Sequence, residues 1–152
     1  MGTLVLPNLE GRQMGQVVTS ISIANRIDQV LHQRGFIAAN EVRSLTIENA
    51  LVDTGATLLC LPAAMIEQLG LMQEAVMNVE TTAGVKPGRI FRDVDLQIGD
   101  RRGTFDCLEL TEVSYPLLGV TPLEILGLEP DLQKRTLRFL PRTSEQTYLS
   151  VL

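Results

Sequence analysis

Asp53-Thr54-Gly55-Ala56 is the stretch of this chain best suited to chemistry. One carboxylate follows the aliphatic pair Leu51-Val52 and precedes, across a short turn, the apolar run Leu58-Leu59-Cys60-Leu61. Read as structure alone, Asp-Thr-Gly is a turn in which Asp accepts from nearby amides and Gly supplies a positive φ. Its flanks argue for more. Apolar strands on both sides draw the loop inward, and a carboxylate there must be desolvated, paired or shared. An accidental Asp-Thr-Gly followed by Ala or Ser is also rare, on the order of one chain in a few hundred at average composition. Proton exchange at Asp53 is the chemistry on offer. The motif occurs once: Asp28, Asp93, Asp95, Asp100, Asp106 and Asp131 all lack a following Thr/Ser-Gly.

The elements that must hold this loop read as mainly β. Residues 16–23 alternate apolar and polar with β-branched types, the pattern of a half-buried strand. Residues 25–35 fit either a helix, through Ile27, Val30 and Leu31, or a loop between hairpin strands. Strands are expected at 42–47, at 50–52 running into Asp53, and at 58–61. Pro62 then opens a short helix over 63–69 that Gly70 terminates. Further strands follow at 76–81, 89–98, 103–110 and 115–118, with a turn at 99–103 between two of them. Thr121-Pro122-Leu123-Glu124 has the capping-box spacing of a second short helix ended by Gly127, and 135–140 is a last strand. The two short helices echo each other, each Pro-started and ending in Leu-Gly-Leu.

At 152 residues the chain is long enough for one domain with a proper core. Aromatic residues are 4% with no Trp, which removes the stacking platforms that single-stranded nucleic acid needs. A net charge of −5 gives no attraction to a polyanion, so neither nucleic acid nor membrane is an expected partner. No apolar run approaches a membrane span. The start, Met1-Gly2-Thr3-Leu4-Val5-Leu6-Pro7, has neither the basic and apolar regions of a signal peptide nor the myristoylation pattern. Cys60 and Cys107 sit among apolar neighbours without zinc-site spacing, as small buried hydrophobes. A cytoplasmic protein with no metal and no cofactor is the expectation. The layout is an N-terminal segment over 1–15, a domain over 16–140, and a polar tail over 141–152 that is either mobile or a docking segment.

Asp53-Thr54-Gly55-Ala56 resembles the active-site loop of the retropepsin-like aspartic proteases, and the likeness extends over about residues 16–140. Leu117-Leu118-Gly119 is similar to that family's second signature, two apolar residues and Gly leading into a short helix. Between them, Thr81-Thr82-Ala83-Gly84-Val85-Lys86-Pro87-Gly88 has the composition of the family's flap hairpin. Viral members continue the second signature with Arg and then Asp or Asn, whereas this chain has Val120-Thr121-Pro122. The run from Pro122 to Leu128 looks more like the bacterial single-domain relatives. The fold implied is a closed β-barrel or sandwich subunit with two short helices, its active site at a homodimer interface.

The resemblance also implies the chemistry. Aspartic proteases hydrolyse peptide bonds with two carboxylates that share one proton, titrating as a pair. With a single Asp-Thr-Gly, the second carboxylate must come from another copy, which makes the partner a second chain in a C2 homodimer. By the same resemblance Asp53 is catalytic, and the Thr54 hydroxyl bonds across the axis. Gly55 lets the partner loop approach, and Ala56 leaves room for the water. Ala83, Gly84 and Val85 form the flap over a peptide or protein substrate, unless the hairpin is merely an exposed tip.

The remaining polar residues have plainer readings. His32 is a solvated histidine, and no Gly-x-Ser-x-Gly pattern accompanies it. Asp93, Asp95 and Asp100 form the solvent face of a strand, Glu124 caps a helix, and Asp131 sits in a turn. Two function classes stay open: an active aspartic endopeptidase, or the same fold kept as a dimerisation or peptide-binding module with little turnover.

Overall fold

The computed structural model describes residues 16–142. The expected segments 1–15 and nearly all of 141–152 therefore lie outside the described residues. Nine strands and three α-helices follow in order: β1 (Val18–Asn25), α1 (Arg26–Gln33), β2 (Ser44–Val52), β3 (Leu59–Pro62), α2 (Ala63–Leu69), β4 (Met72–Thr81), β5 (Gly84–Ile98), β6 (Arg101–Leu110), β7 (Leu117–Leu118), α3 (Val120–Leu126), β8 (Leu128–Asp131) and β9 (Thr136–Phe139). Seven strands form one sheet in the order β1-β2-β7-β3-β6-β5-β4, and a further β1–β5 pairing closes six of them into a barrel. β4 hangs outside the closure, paired to β5 as a long hairpin, and β8-β9 is a separate two-stranded sheet.

Alternation decides what each strand buries. In β1, Ile21 and Ile23 face the core while Ser20 and Ser22 face out. The main core gathers Ile21, Ile23, Leu59, Leu61, Leu69, Leu96 and Leu118, with Leu126 from α3. A second apolar cluster joins Leu51, Ala56, Cys60 and Leu117 to Tyr115 and Ile90, with Ala75 and Val79 of the hairpin packed on it. The echo between the two Leu-Gly-Leu helices is real in three dimensions. α2 and α3 are each seven residues long and end at left-handed Gly70 (φ 62°) and Gly127 (φ 68°).

The fold departs from the sequence reading in several places. Two short helices are expected, with residues 25–35 open between helix and loop; residues 26–33 take the helical alternative and make a third, capped when the Asn25 side chain accepts from the Asp28 amide at 2.9 Å. α3 begins at Val120 behind Gly119, with no side-chain cap, so the expected Thr121–Glu124 capping box does not form. Asp95 is not on a solvent face. It is 5% exposed and accepts from Arg102 at 2.8 Å and Gln29 at 3.2 Å. Asp93 adopts φ 65° where the β5–β6 register shifts, a bulge that exchanges which side chains face in. Asp131 ends β8 and does serve the turn, its Oδ1 accepting from the Gln133 and Lys134 amides.

Asn25, Asp28 and Arg43 bolt α1 to the barrel. Asp28, 5% exposed, accepts the Arg43 backbone N–H at 3.1 Å and its guanidinium at 2.8 and 3.0 Å. Asn25 donates to the Leu69 carbonyl at 2.8 Å, reaching the end of α2. The bond from the Arg43 side chain, outweighing desolvation, holds the Asp28 carboxyl below its usual 3.8. A depressed folded value stabilises above the unfolded value and is lost as pH falls through the folded one. Asp28→Asn should therefore cost about 2 kcal/mol near neutrality and progressively less below about pH 4. Urea melts of both proteins at neutral and acid pH check this; a pH-independent difference would contradict it.

Candidate active site

Asp53 sits where β2 ends, in the loop that returns to β3, and β7 lies between those two strands. β7 pairs parallel with β2 (Leu51 with Leu117, Val52 with Leu118) and antiparallel with β3 (Leu59 with Leu118, Cys60 with Leu117). The first and second signatures, more than sixty positions apart in sequence, are thus one hydrogen-bonded unit. The Asp53 amide donates to the Leu118 carbonyl at 2.9 Å, and the Leu51 amide to the Pro116 carbonyl at 2.9 Å. From the other side, the Val120 and Thr121 amides donate to the Ala56 and Thr57 carbonyls, both at 2.9 Å. These bonds occupy the first N–H groups of α3, and Pro122 has none to satisfy, which is why that helix starts without a side-chain cap.

Gly119 is where the loop and the second signature touch. A Cβ there would lie 2.4 Å from the Leu58 carbonyl oxygen, 2.7 Å from that of Ala56 and 2.8 Å from the Leu58 nitrogen. All three are backbone atoms, so only a residue without a side chain fits.

Within the loop the Gly55 amide donates to Asp53 Oδ1 at 2.9 Å, and the Ala56 amide to the Asp53 carbonyl at 3.1 Å. Gly55 does not take the positive φ of the plain-turn reading. Its role is proximity, since a Cβ would come 3.1 Å from Oδ1. Asp53 is half-buried, Thr54 and Gly55 are exposed, and Ala56 is buried in the second apolar cluster. The Asp53 carboxylate makes no other hydrogen bond among the described residues, and the Thr54 hydroxyl makes none. One carboxylate oxygen is held by the loop, and the other is left to whatever approaches the open face.

Two side chains feel the Asp53 charge, a link the sequence did not mark. Cys60 is buried and its thiol is pushed up to about 12, by desolvation first and then by the Asp53 charge. Tyr115 is raised in the same direction by the same two causes. Cys107, also buried, reaches about 12 chiefly through desolvation. Both thiols are free and protonated, in line with the reading of small buried hydrophobes. Among the described residues no group of His, Cys, Asp or Glu could hold a metal ion. His32 is exposed, and its ring Nδ1 lies 3.1 Å from the Ile37 carbonyl oxygen. Glu124 is exposed on α3 and caps nothing.

The β4–β5 hairpin carries the residues expected at the flap. Its tip turns over Thr82 and Ala83, where Thr81 Oγ1 accepts from the Ala83 amide at 3.1 Å and donates to the Gly84 carbonyl at 2.7 Å. Ala83, Gly84 and Val85 are all exposed, and β5 already begins at Gly84, so Val85, Lys86, Pro87 and Gly88 belong to the strand itself. The tip half of the hairpin and the segment after β6 line an open hollow of about 110 Å³, with Val79, Lys86, Gly88, Leu110 and Val113 among its walls. No helix among the described residues is long and apolar enough to cross a membrane.

No curated protein matches the sequence. Among solved structures the fold is similar to EIAV protease complexed with the inhibitor HBY-793, at 20% identity and a TM-score of 0.49, covering 79% of this chain and 92% of that one. Residues 42–124 match the family described as gag-polyprotein putative aspartyl protease. That span holds the Asp53 loop, the hairpin and the second signature together, and the chain belongs to this family of retropepsin-like aspartic proteases.

Proposed function

We propose that the protein is an aspartic endopeptidase in which Asp53 of two copies forms one catalytic dyad on the axis of a C2 homodimer. The observation that carries this reading is the open side of the loop. Asp53 presents a carboxylate with one oxygen held by Gly55 and the other unengaged among the described residues, beside an exposed Thr54 whose hydroxyl makes no bond among them. The sequence contains no second Asp-Thr/Ser-Gly to complete the pair from within. A second copy, related by two-fold symmetry, supplies the same groups to the same place.

In that arrangement one carboxylate takes a proton from a water while its protonated twin donates to the scissile carbonyl, and the roles exchange as the tetrahedral intermediate collapses. The water's oxygen bonds to the carbonyl carbon, the C–N bond breaks, and the leaving amine takes up a proton. Thr54 locks the two loops, Gly55 orients its Asp, and Ala56 keeps the water site open. The Leu117-Leu118-Gly119 strand makes the loop rigid. Ala83, Gly84 and Val85 cover an extended peptide or protein substrate, which binds through main-chain hydrogen bonds. The reading assigns the protease unit to residues 16–140, acting in the cytoplasm without metal or cofactor.

The test is cleavage of an unbiased peptide mixture across acid and neutral pH over a dilution series, with sedimentation alongside. Specific activity should fall as the dimer dissociates. A monomer with full activity, or a well-folded dimer that cleaves nothing at any pH, would overturn the proposal.

A further inference from the structure

Six apolar residues between β1 and β2 join neither core cluster: Ile27, Val30, Leu31, Phe36, Ile37 and Val42. None of them is buried, and Phe36, 75% exposed, is the most exposed large hydrophobic side chain among the described residues. On α1, Ile27, Val30 and Leu31 recur at helical spacing and so share one side of it. Phe36 is held next to them by backbone. Gly35 takes φ 82°, its amide donates to the His32 carbonyl at 2.9 Å, and the Phe36 amide donates to the Leu31 carbonyl at 2.8 Å. The phenyl ring is thus presented to solvent by a closed helix-ending turn. Its exposure gives up burial worth about 1.5–3 kcal/mol, and a polar residue would serve the same turn without that loss.

The charges around this patch set what can cover it. Arg26, Arg34 and Arg43 outnumber Asp28 and Glu41 in the segment. Arg34 continues the Ile27-Val30-Leu31 row, is exposed, and has no ion pair among the described residues. Arg26 donates to a neutral group, Gln29 Oε1, at 3.0 Å. Both acidic groups are engaged: Asp28 is buried on Arg43, and Glu41 Oε1 accepts the Ala38 amide at 2.8 Å. An apolar patch flanked by unpaired arginines therefore stands on a chain whose net charge is −5. An acidic partner is drawn to this corner and repelled by the rest. An anionic bilayer fits less well, since it would face the net negative protein along with the two arginines. The corner is also remote from Asp53. β1 starts beside the Asp53 loop, with Val18 paired to Leu51, and ends at α1. Its eight residues span about 23 Å at the usual rise.

We infer that α1 and the Phe36 turn form a docking surface for a partner protein, taking a segment in which an apolar anchor is flanked by Asp or Glu. Phe36 and Ile27 receive the anchor, and Arg34 and Arg26 meet the carboxylates. An aromatic and an arginine are the kinds of residue whose truncation costs most at protein interfaces. The surface uses no residue of the Asp53 loop, so it stands or falls apart from the protease reading.

The experiment pans a random dodecapeptide phage library on the full chain carrying Asp53→Asn, so that no captured peptide is cut. The same library is panned on that chain with Phe36→Ser or with Arg34→Glu added. Peptides held by the first protein and lost from the other two should carry an aromatic or aliphatic residue with Asp or Glu beside it. Each substitution should weaken such peptides about tenfold, and salt should weaken them further. The thermal midpoint should not move, because both side chains are exposed. Identical peptides from all three proteins, lost peptides without acidic residues, or a fallen midpoint would overturn the inference. Two rival occupants have their own readouts. Dimer loss on Phe36→Ser in sedimentation would make the patch a contact between copies. Co-sedimentation with phosphatidylserine vesicles that Phe36→Ser abolishes would make it a membrane surface, and either result overturns the assignment. Selective capture alongside a chain that cleaves nothing with Asp53 intact would sink the protease reading and leave the docking surface standing.

Discussion

Under the proposed function, Asp53→Asn is expected to leave the protein folded while it cleaves peptides at least about 10³-fold more slowly than the parent. The substitution is nearly isosteric, and its side-chain oxygen still accepts from the Gly55 amide, so the loop keeps its shape. The backbone bonds to Leu118 and Ala56 do not involve the carboxylate at all. What disappears is the group to which the proposed function assigns proton exchange with water and with the substrate carbonyl. Loss of kcat with an unchanged melting curve is the expected pair of observations. Residual activity near the parental rate would mean that the chemistry belongs to other residues.

Gly119→Ala is expected to destabilise the subunit by about 3 kcal/mol or more. The new methyl carbon would lie within 2.8 Å of three backbone atoms of residues 56 and 58, and none of these can rotate aside. Relief requires β7 or the Asp53 loop to move, which breaks the Val120–Ala56 and Thr121–Thr57 bonds that join them. With total stability in the usual range of about 5–15 kcal/mol, much of the margin is lost. Because the strain falls on the loop itself, activity should decline even where the protein remains folded. A melting temperature within a degree or so of the parent would contradict this packing argument.

The parts of the fold legible in sequence are those specified by neighbours along the chain. The alternation in β1, the Gly70 and Gly127 terminators and the Asp53-Thr54-Gly55 turn are local patterns, and each appears where it was expected. The second signature was legible too, although its meaning is not local: Leu117 and Leu118 gain their place from pairing with both β2 and β3. What stayed hidden depends on distant partners. That α1 is a helix and not the loop its few apolar residues also allowed depends on the Asp28–Arg43 pair, fifteen positions apart. Asp95 is buried because Arg102 and Gln29 reach it, which no periodicity reports. Thr121 has good capping chemistry, but the Ala56 and Thr57 carbonyls already serve the start of α3.

The central claim is that one active site needs Asp53 from two chains. It is tested most directly by co-refolding the parent with Asp53→Asn at a fixed total chain concentration and measuring peptide cleavage. If the site is shared, an equal mixture has two intact aspartates in only about one quarter of its dimers, and activity falls to about one quarter of the all-parent value. If each subunit were a complete catalyst, activity would stay at about one half, in proportion to the parent chains present, and the shared dyad would be contradicted.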